Sequence, residues 1–213
     1  MKLFLFGGAE IGPPFRSVSI LKNLMKKALT SIHPKSILHI PYARLYPINE
    51  DKGEWYEGWF DDLMADTGIN IINARNQEAL GRVTDSVVFI NGGSNRKLLV
   101  DEMYKSQLLL HKVLSAKYIV AESAGSMAMG EYMRISRTDS GVMKAIGVIK
   151  NVVIEPHYTE KNYKEYLPGD MEKSGVKYGI GIDSATGIIV DPAEFPAKWE
   201  KIGVGSVYIK TAK

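Results

Sequence analysis

Lys117-Tyr118-Ile119-Val120-Ala121-Glu122-Ser123-Ala124-Gly125-Ser126 is an apolar run that ends in a serine set among small residues. The aromatic and β-branched residues at its start read as a strand. The small residues after it read as a sharp turn into a helix, where larger side chains would not fit. A serine at such a corner is pushed out of the sheet edge on a strained backbone, with its hydroxyl clear of its neighbours. The residue after it, Ala124, can aim its backbone N–H at a developing oxyanion. Ser123 is therefore a candidate nucleophile, and Glu122 is expected at the rim of a substrate cleft. The plainer alternative is a tight turn whose serine caps a helix.

Outward from this stretch, apolar strand-like runs alternate with amphipathic segments. Lys2 to Phe6, Ser36 to Pro41, Ile69 to Ile72, Ser86 to Ile90 and Lys117 to Val120 read as strands in the first part of the chain. Val152 to Ile154, Tyr178 to Ile182, Gly187 to Val190 and Val204 to Ile209 read as later ones, the last as an antiparallel edge. Ser17 to Leu29, Trp55 to Met64 and Leu98 to Leu114 carry apolar residues at helical spacing, and Gln77 to Leu80 reads as a helical turn. Uniformly apolar strands between helices predict an α/β fold: a three-layer arrangement with a mostly parallel sheet and helices on both faces. The 213 residues fit one such domain, 1–213, better than two small ones. Sites in these sheets form at the carboxyl ends of strands. Gly7-Gly8, Asn91-Gly92-Gly93 and Ser123 all fall there. The polar segment from Arg44 to Glu54 has the length of a lid.

Composition narrows the function. Apolar residues make up 45% of the chain, enough for a sizeable core, and a net charge of +3, spread along the sequence, does not favour nucleic acid. No apolar run approaches the roughly 20 residues needed to cross a bilayer. The brief apolar start, closed by Gly7-Gly8, reads as a first strand and not as a signal peptide, so a cytoplasmic location is the expectation. The chain has no cysteine, which excludes disulfides, thiolate metal sites and cysteine nucleophiles together. No metal-ligand spacing and no cofactor motif stands out, and the glycines lack the following Gly-Lys-Ser/Thr that a phosphate cradle requires.

A serine needs a base near neutral pH, and histidine is the usual one. His33 sits before a proline in a loop, His39 lies inside a strand and reads as a core or edge histidine, and His111 lies on an amphipathic helix. His157 differs: it follows Val152-Val153-Ile154-Glu155-Pro156, just beyond a strand's carboxyl end, on an approach stiffened by proline. It is the preferred base. Asn91-Gly92-Gly93-Ser94 offers backbone N–H groups for an anion hole and lies where a substrate would bind. Asp139, Asp183, Asp191 and Glu155 are the carboxylates available to orient the histidine.

Asn91-Gly92-Gly93-Ser94-Asn95, Glu122-Ser123-Ala124-Gly125-Ser126, Glu155-Pro156-His157-Tyr158-Thr159-Glu160 and the stretch from Gly179 to Ile189 occur in an order and spacing that resemble the peptidase E (aspartyl dipeptidase) and cyanophycinase family of serine peptidases. The resemblance covers the chain from its first strand to about Val190. It implies a class I glutamine amidotransferase-like, flavodoxin-like fold and hydrolysis of peptide bonds involving aspartate, without metal or cofactor. It implies Ser123 as nucleophile, His157 as base, and the N–H groups of Gly93 and Ala124 as the oxyanion hole. Asn91, Gly92, Ser94 and Glu122 fall among the substrate-binding positions. The family's late Gly-Ile-Asp-Glu motif reads Gly181-Ile182-Asp183-Ser184, so the glutamate position holds Ser184. Asp139 or Asp183 is then expected to orient the histidine. Glu122 stands where peptidase E has an aromatic residue, Ala121 where a glycine is common, and no arginine matches the one that holds a substrate aspartate, for which Lys161 or Lys164 could substitute. The expected partner is a small peptide substrate, with neither nucleic acid nor membrane, and a homodimer is compatible with this reading. An amidase or esterase on the same sheet, or a non-catalytic small-molecule-binding relative, are the alternatives.

Overall fold

A computed structural model describes the chain except residues 13–15, 45–53, 57, 84–85, 137–140 and 213. Its elements run β1 (Lys2–Phe6), α1 (Val18–Ser31), β2 (Ser36–Ile40), α2 (Trp59–Met64), β3 (Asn70–Asn73), α3 (Gln77–Gly81), β4 (Val87–Ile90), α4 (Arg96–Lys105), α5 (Gln107–Leu114), β5 (Tyr118–Glu122), α6 (Ala124–Ala128), β6 (Tyr132–Arg134), β7 (Val142–Lys144), β8 (Val152–Pro156), α7 (Leu167–Ser174), β9 (Tyr178–Ile182), β10 (Thr186–Val190), β11 (Glu200–Gly203) and β12 (Val207–Thr211).

The strands form two sheets. Seven lie in the order β11-β10-β1-β5-β4-β2-β3, and five in the order β12-β9-β8-β6-β7. The first five strands of the chain pair in parallel within the large sheet. Strands β1, β2, β4 and β5 are buried on both faces, as their largely apolar sequences require, whereas β3, Asn70-Ile71-Ile72-Asn73, is the partly exposed edge. On β1 the alternation is direct: Leu3 and Leu5 face one core, Phe4 and Phe6 the other. The Phe4 and Phe6 side packs against Leu21, Met25 and Leu29 of α1 and Trp59 and Phe60 of α2. The Leu3 and Leu5 side packs toward α4, α5 and α6 and toward Ile154 and Ile180 of the small sheet. Helix α7 covers the small sheet through Leu167 and Met171. The α/β class with helices on both faces is thus the observed one; of the strands after β5, β6 to β9 and β12 form the second sheet, while β10 and β11 return to the large one. The antiparallel edge expected at the chain's end is β12, paired with β9.

One helical stretch divides. The apolar periodicity from Leu98 to Leu114 is continuous, yet Ser106 takes an extended conformation and accepts a hydrogen bond from the Leu109 N–H at 3.2 Å, starting α5 afresh. Trp55 lies before α2, not within it. Of the segment expected to form a lid, residues 45–53 lie outside the described residues.

Parallel register places the site. Phe6 of β1 stands opposite Glu122 of β5, and Ile90 of β4 opposite Ala121. The ends of β1, β4 and β5 therefore lie side by side, and Gly7-Gly8, Asn91-Gly92-Gly93 and Ser123 share one sheet edge.

Candidate active site

Ser123 occupies the single-residue corner between β5 and α6, with φ 49° and ψ −114°. This is a sparsely populated backbone region, maintained only where the surroundings over-determine it. The end of β1 supplies that constraint. The Phe6 carbonyl accepts from the Ser123 N–H at 2.9 Å and from the Ser126 hydroxyl at 2.8 Å. Ser126 also reaches the Ala121 carbonyl at 3.0 Å, so its hydroxyl ties both sides of the turn.

The same strand end holds the histidine. The Gly7 carbonyl accepts the His157 N–H at 2.9 Å, and His157 itself has φ 52°. The small sheet thereby delivers an imidazole to the serine of the large one: Ser123 Oγ lies 3.1 Å from His157 Nε2. Gly8 lies beneath both. Its φ is 86°, and a Cβ there would fall 2.5 Å from Nε2 and 3.1 Å from Ser123 Cβ. Only glycine fits without pushing the pair apart.

On the other ring nitrogen, His157 Nδ1 lies 2.6 Å from Glu10 Oε1 and 3.1 Å from Ser184 Oγ. The Ser184 hydroxyl donates to the same Glu10 oxygen at 3.0 Å, and Lys161 Nζ lies 3.6 Å from it. Burial would raise the Glu10 pKa. The hydrogen bond and charge of His157, the charge of Lys161 and the Ser184 hydroxyl outweigh burial and bring it down to about 2.

This corrects Asp183 as the carboxylate expected on the ring. Asp183 has Oδ1 on the Thr159 N–H at 3.1 Å and Oδ2 on the Ser206 N–H at 2.9 Å, so it ties the segment after His157 to the loop before β12. Asp139, the other candidate, lies outside the described residues. Glu155 is fully buried against Arg134, and Asp191 is at the surface beside the chain's amino terminus.

The loop after β4 divides its expected roles. Asn91 is fully buried, and its side-chain oxygen lies 3.0 Å from His39 Nε2. The Gly92 N–H donates to Glu122 Oε1 at 2.6 Å. Neither residue lines the cavity, which corrects their placing among substrate contacts. Gly93 and Ser94 do line it. Gly93 has φ 149°, and a Cβ there would fall 2.2 Å from the Ala43 carbonyl oxygen, so the loop is clamped closely against the chain after β2. Among the described residues, neither the Gly93 nor the Ala124 N–H donates a hydrogen bond to another backbone carbonyl. His39 is a core histidine, one of the two readings its strand position allowed. Burial drives its pKa down to about 4, against the Asn91 hydrogen bond.

Ser123 and His157 open into a cavity of about 570 Å³. Its charged lining is Glu10, Arg44, Glu122 and Lys161. Arg44 Nη2 lies 3.3 Å from Glu122 Oε1, and its guanidinium stacks 4.8 Å from the Trp55 ring, a third wall. Of the two lysines considered as cationic substitutes, Lys161 lines the cavity, whereas Lys164 is exposed. Arg44, Trp55 and Glu10 were not singled out as site residues in the sequence. The one signal for Glu10 was its place two residues beyond Gly7-Gly8 at the site edge. Among the described residues, no group of three or more histidine, aspartate or glutamate side chains is placed to hold a metal ion.

A mixed α/β protein with a serine and a histidine joined at its sheet edge is the class these features define. Peptidase family S51 matches residues 3–196, nearly the whole chain. The chain belongs to this peptidase family. Cyanophycinases of Synechococcus elongatus and Thermosynechococcus vestitus are each 26% identical to it over 148 residues, 60% of this chain and 46% of the relative. The match thus spans about half the length of those relatives. The crystal structure of a peptidase from an acI-B1 Actinobacterium superposes with a TM-score of 0.64 at 19% identity, covering 99% of this chain and 94% of that one. That likeness establishes the fold. No described helix is long and apolar enough to cross a membrane.

Proposed function

We propose that the chain is a serine-type peptidase that hydrolyses short peptides through an acyl-enzyme on Ser123. The observation that carries this reading is the 3.1 Å approach of Ser123 Oγ to His157 Nε2 from two different sheets, with the serine on a strained corner. His157 Nε2 takes the hydroxyl proton as Oγ attacks the scissile carbonyl carbon. The N–H groups of Gly93 and Ala124 receive the negative charge on the carbonyl oxygen. His157 then returns the proton to the departing amine, the C–N bond breaks, and an ester to Ser123 remains. Water, deprotonated by the same nitrogen, hydrolyses that ester.

Short substrates suit the lining. Two cations and two carboxylates within about 570 Å³ match a molecule that carries both charges, as a dipeptide does at neutral pH. Arg44 offers a planar fork to a substrate carboxylate, so an aspartyl side chain is the substrate group we assign to that wall.

Purified parent and Ser123→Ala proteins, assayed on aspartyl dipeptides, other short peptides, simple amides and esters, test the reading. The parent is expected to turn over at least one short peptide, and the variant to lose activity by several powers of ten. Equal turnover would overturn it. Activity confined to non-peptide esters or amides would move the chain to a different hydrolase class.

A further inference from the structure

We propose that Glu10, from the loop after β1, is the positioning carboxylate of the site: it fixes the tautomer and orientation of the His157 ring, and Ser184 locks it in that role. The inference rests on the serine-peptidase reading and extends it to Glu10, which the family likeness did not single out.

The argument begins with proton counting. An ionised carboxylate only accepts hydrogen bonds. With Glu10 Oε1 2.6 Å from Nδ1, the neutral ring must carry its proton on Nδ1. Nε2 then presents a lone pair to Ser123 Oγ, 3.1 Å away, which is the arrangement a general base requires. A ring with the opposite tautomer would point N–H at the serine and could not take its proton.

Glu10 is anchored at both ends. Its backbone N–H donates to Ser17 Oγ at 3.0 Å, and its carbonyl accepts from the Ser17 N–H at 2.9 Å. Ser17 is buried at the start of α1, so the clasp ties the loop to the helix. At the carboxylate, Ser184 contacts both partners: Oγ donates to Glu10 Oε1 at 3.0 Å and lies 3.1 Å from His157 Nδ1. The three atoms form a closed triangle, which holds the ring plane against rotation. Lys161, 3.6 Å from the same oxygen, adds to the charges that favour the ionised form of Glu10.

Glu10 also lines the cavity and is not sealed behind the ring. A small carboxylate from solution can therefore reach its place once the side chain is removed, which gives the proposal a test that a purely structural role would fail.

The test uses Glu10→Gln, Glu10→Ala and Ser184→Ala, each checked for an unchanged melting temperature. Nitrogen-15 spectra of the imidazole report the tautomer without any substrate. The rate at which a fluorophosphonate labels Ser123 reports reactivity. The parent ring is expected to be protonated on Nδ1, and Glu10→Gln is expected to lose that preference. Labelling of Glu10→Gln should fall by about 10³-fold or more, as with an amide in the same position of other triads. Ser184→Ala should fall by about tenfold. Formate should raise labelling of Glu10→Ala at least about tenfold and leave Ser184→Ala unmoved. Unchanged ring spectra in Glu10→Gln, or labelling of both Glu10 variants within about threefold of the parent, would overturn the proposal. A parent that resists labelling would count against Ser123 as nucleophile and not against Glu10, for which the ring spectra then decide.

Discussion

At its carboxyl end, strand β8 passes from one charged cluster into another. Glu155, on the strand, is fully buried and lies 2.6 Å from Arg134 Nη2, with Asp170 3.7 Å from the same guanidinium's Nε. His157, two residues later, faces the cavity with Glu10 and Lys161. Both clusters join a glutamate to a cation or imidazole, yet the two glutamates shift in opposite directions. Glu155 is pushed up to about 7, because burial outweighs the charges of Arg134 and Arg96. Glu10 is drawn down to about 2, because it is less buried and its partners outweigh burial. The difference teaches that the partner alone does not set a carboxylate's charge. The share of solvent lost decides whether the partner wins. The sealed cluster, roofed by Tyr163 and Tyr166 at 4.3 and 4.7 Å from the Arg134 guanidinium, holds the strand, and the open one stays charged.

If that division is right, function and stability separate between the clusters. The largest effect is expected from His157→Ala in the open one. Peptide turnover should fall by roughly 10⁴ or more, while urea unfolding should shift by about 1 kcal/mol or less, because Glu10 keeps solvent and Lys161. A variant that unfolds instead would erase the contrast.

Arg134→Met in the sealed cluster should do the reverse. Removing the guanidinium leaves Glu155 and Asp170 buried without their cation, which costs about 3–5 kcal/mol. Equilibrium unfolding measures it. A change below about 1 kcal/mol would mean that the cluster is wetter than its burial implies.

The clusters should also give stability opposite dependence on pH. The folded pKa of Glu155 lies above its unfolded value of 4.5, so the folded state holds that proton more tightly. Its contribution is full below pH 4.5 and is lost as pH rises to about 7, on the order of 3 kcal/mol. Glu10 is depressed, so its contribution is present above pH 4.5 and is lost as pH falls toward 2. Unfolding of parent and Glu155→Gln across pH 4.5 to 7.5 separates the two. The parent should lose stability relative to the variant as pH rises, and parallel curves would remove Glu155 as the cause.

The sequence displayed these two regions unequally. Strands β1 to β5 were legible because each is a local apolar run with turn residues after it. Ser123 and His157 were legible because each stands just past such a run. β6 and β7 were not foreseen, since three residues apiece carry too little pattern. Glu10 was missed because its contact with His157 spans 147 positions, and no local spacing encodes a pairing across that distance. Arg44 meets Glu122 across 78 positions, for the same reason. The sequence did offer carboxylates nearer to His157. Asp183 is close in the chain and close in space, but the N–H groups of Thr159 and Ser206 engage it first.

The smallest effect should come from Lys161→Met, and it refines the account of the open cluster. Lys161 is the weakest of Glu10's partners by distance, 3.6 Å against 2.6 Å for His157, and its side chain is partly exposed. Exposed or half-exposed pairs contribute about 0–1 kcal/mol. If Lys161 only keeps Glu10 ionised, its loss raises the Glu10 pKa modestly, and the carboxylate is still charged at neutral pH. Turnover at pH 7 should then change by less than about fivefold, with the acid limb of the pH–rate profile moved slightly upward. If Lys161 instead holds a substrate carboxylate, KM should rise with kcat little altered, and the acid limb should stay in place. Steady-state kinetics across pH 4 to 8 distinguish a residue that serves the ring from one that serves the substrate.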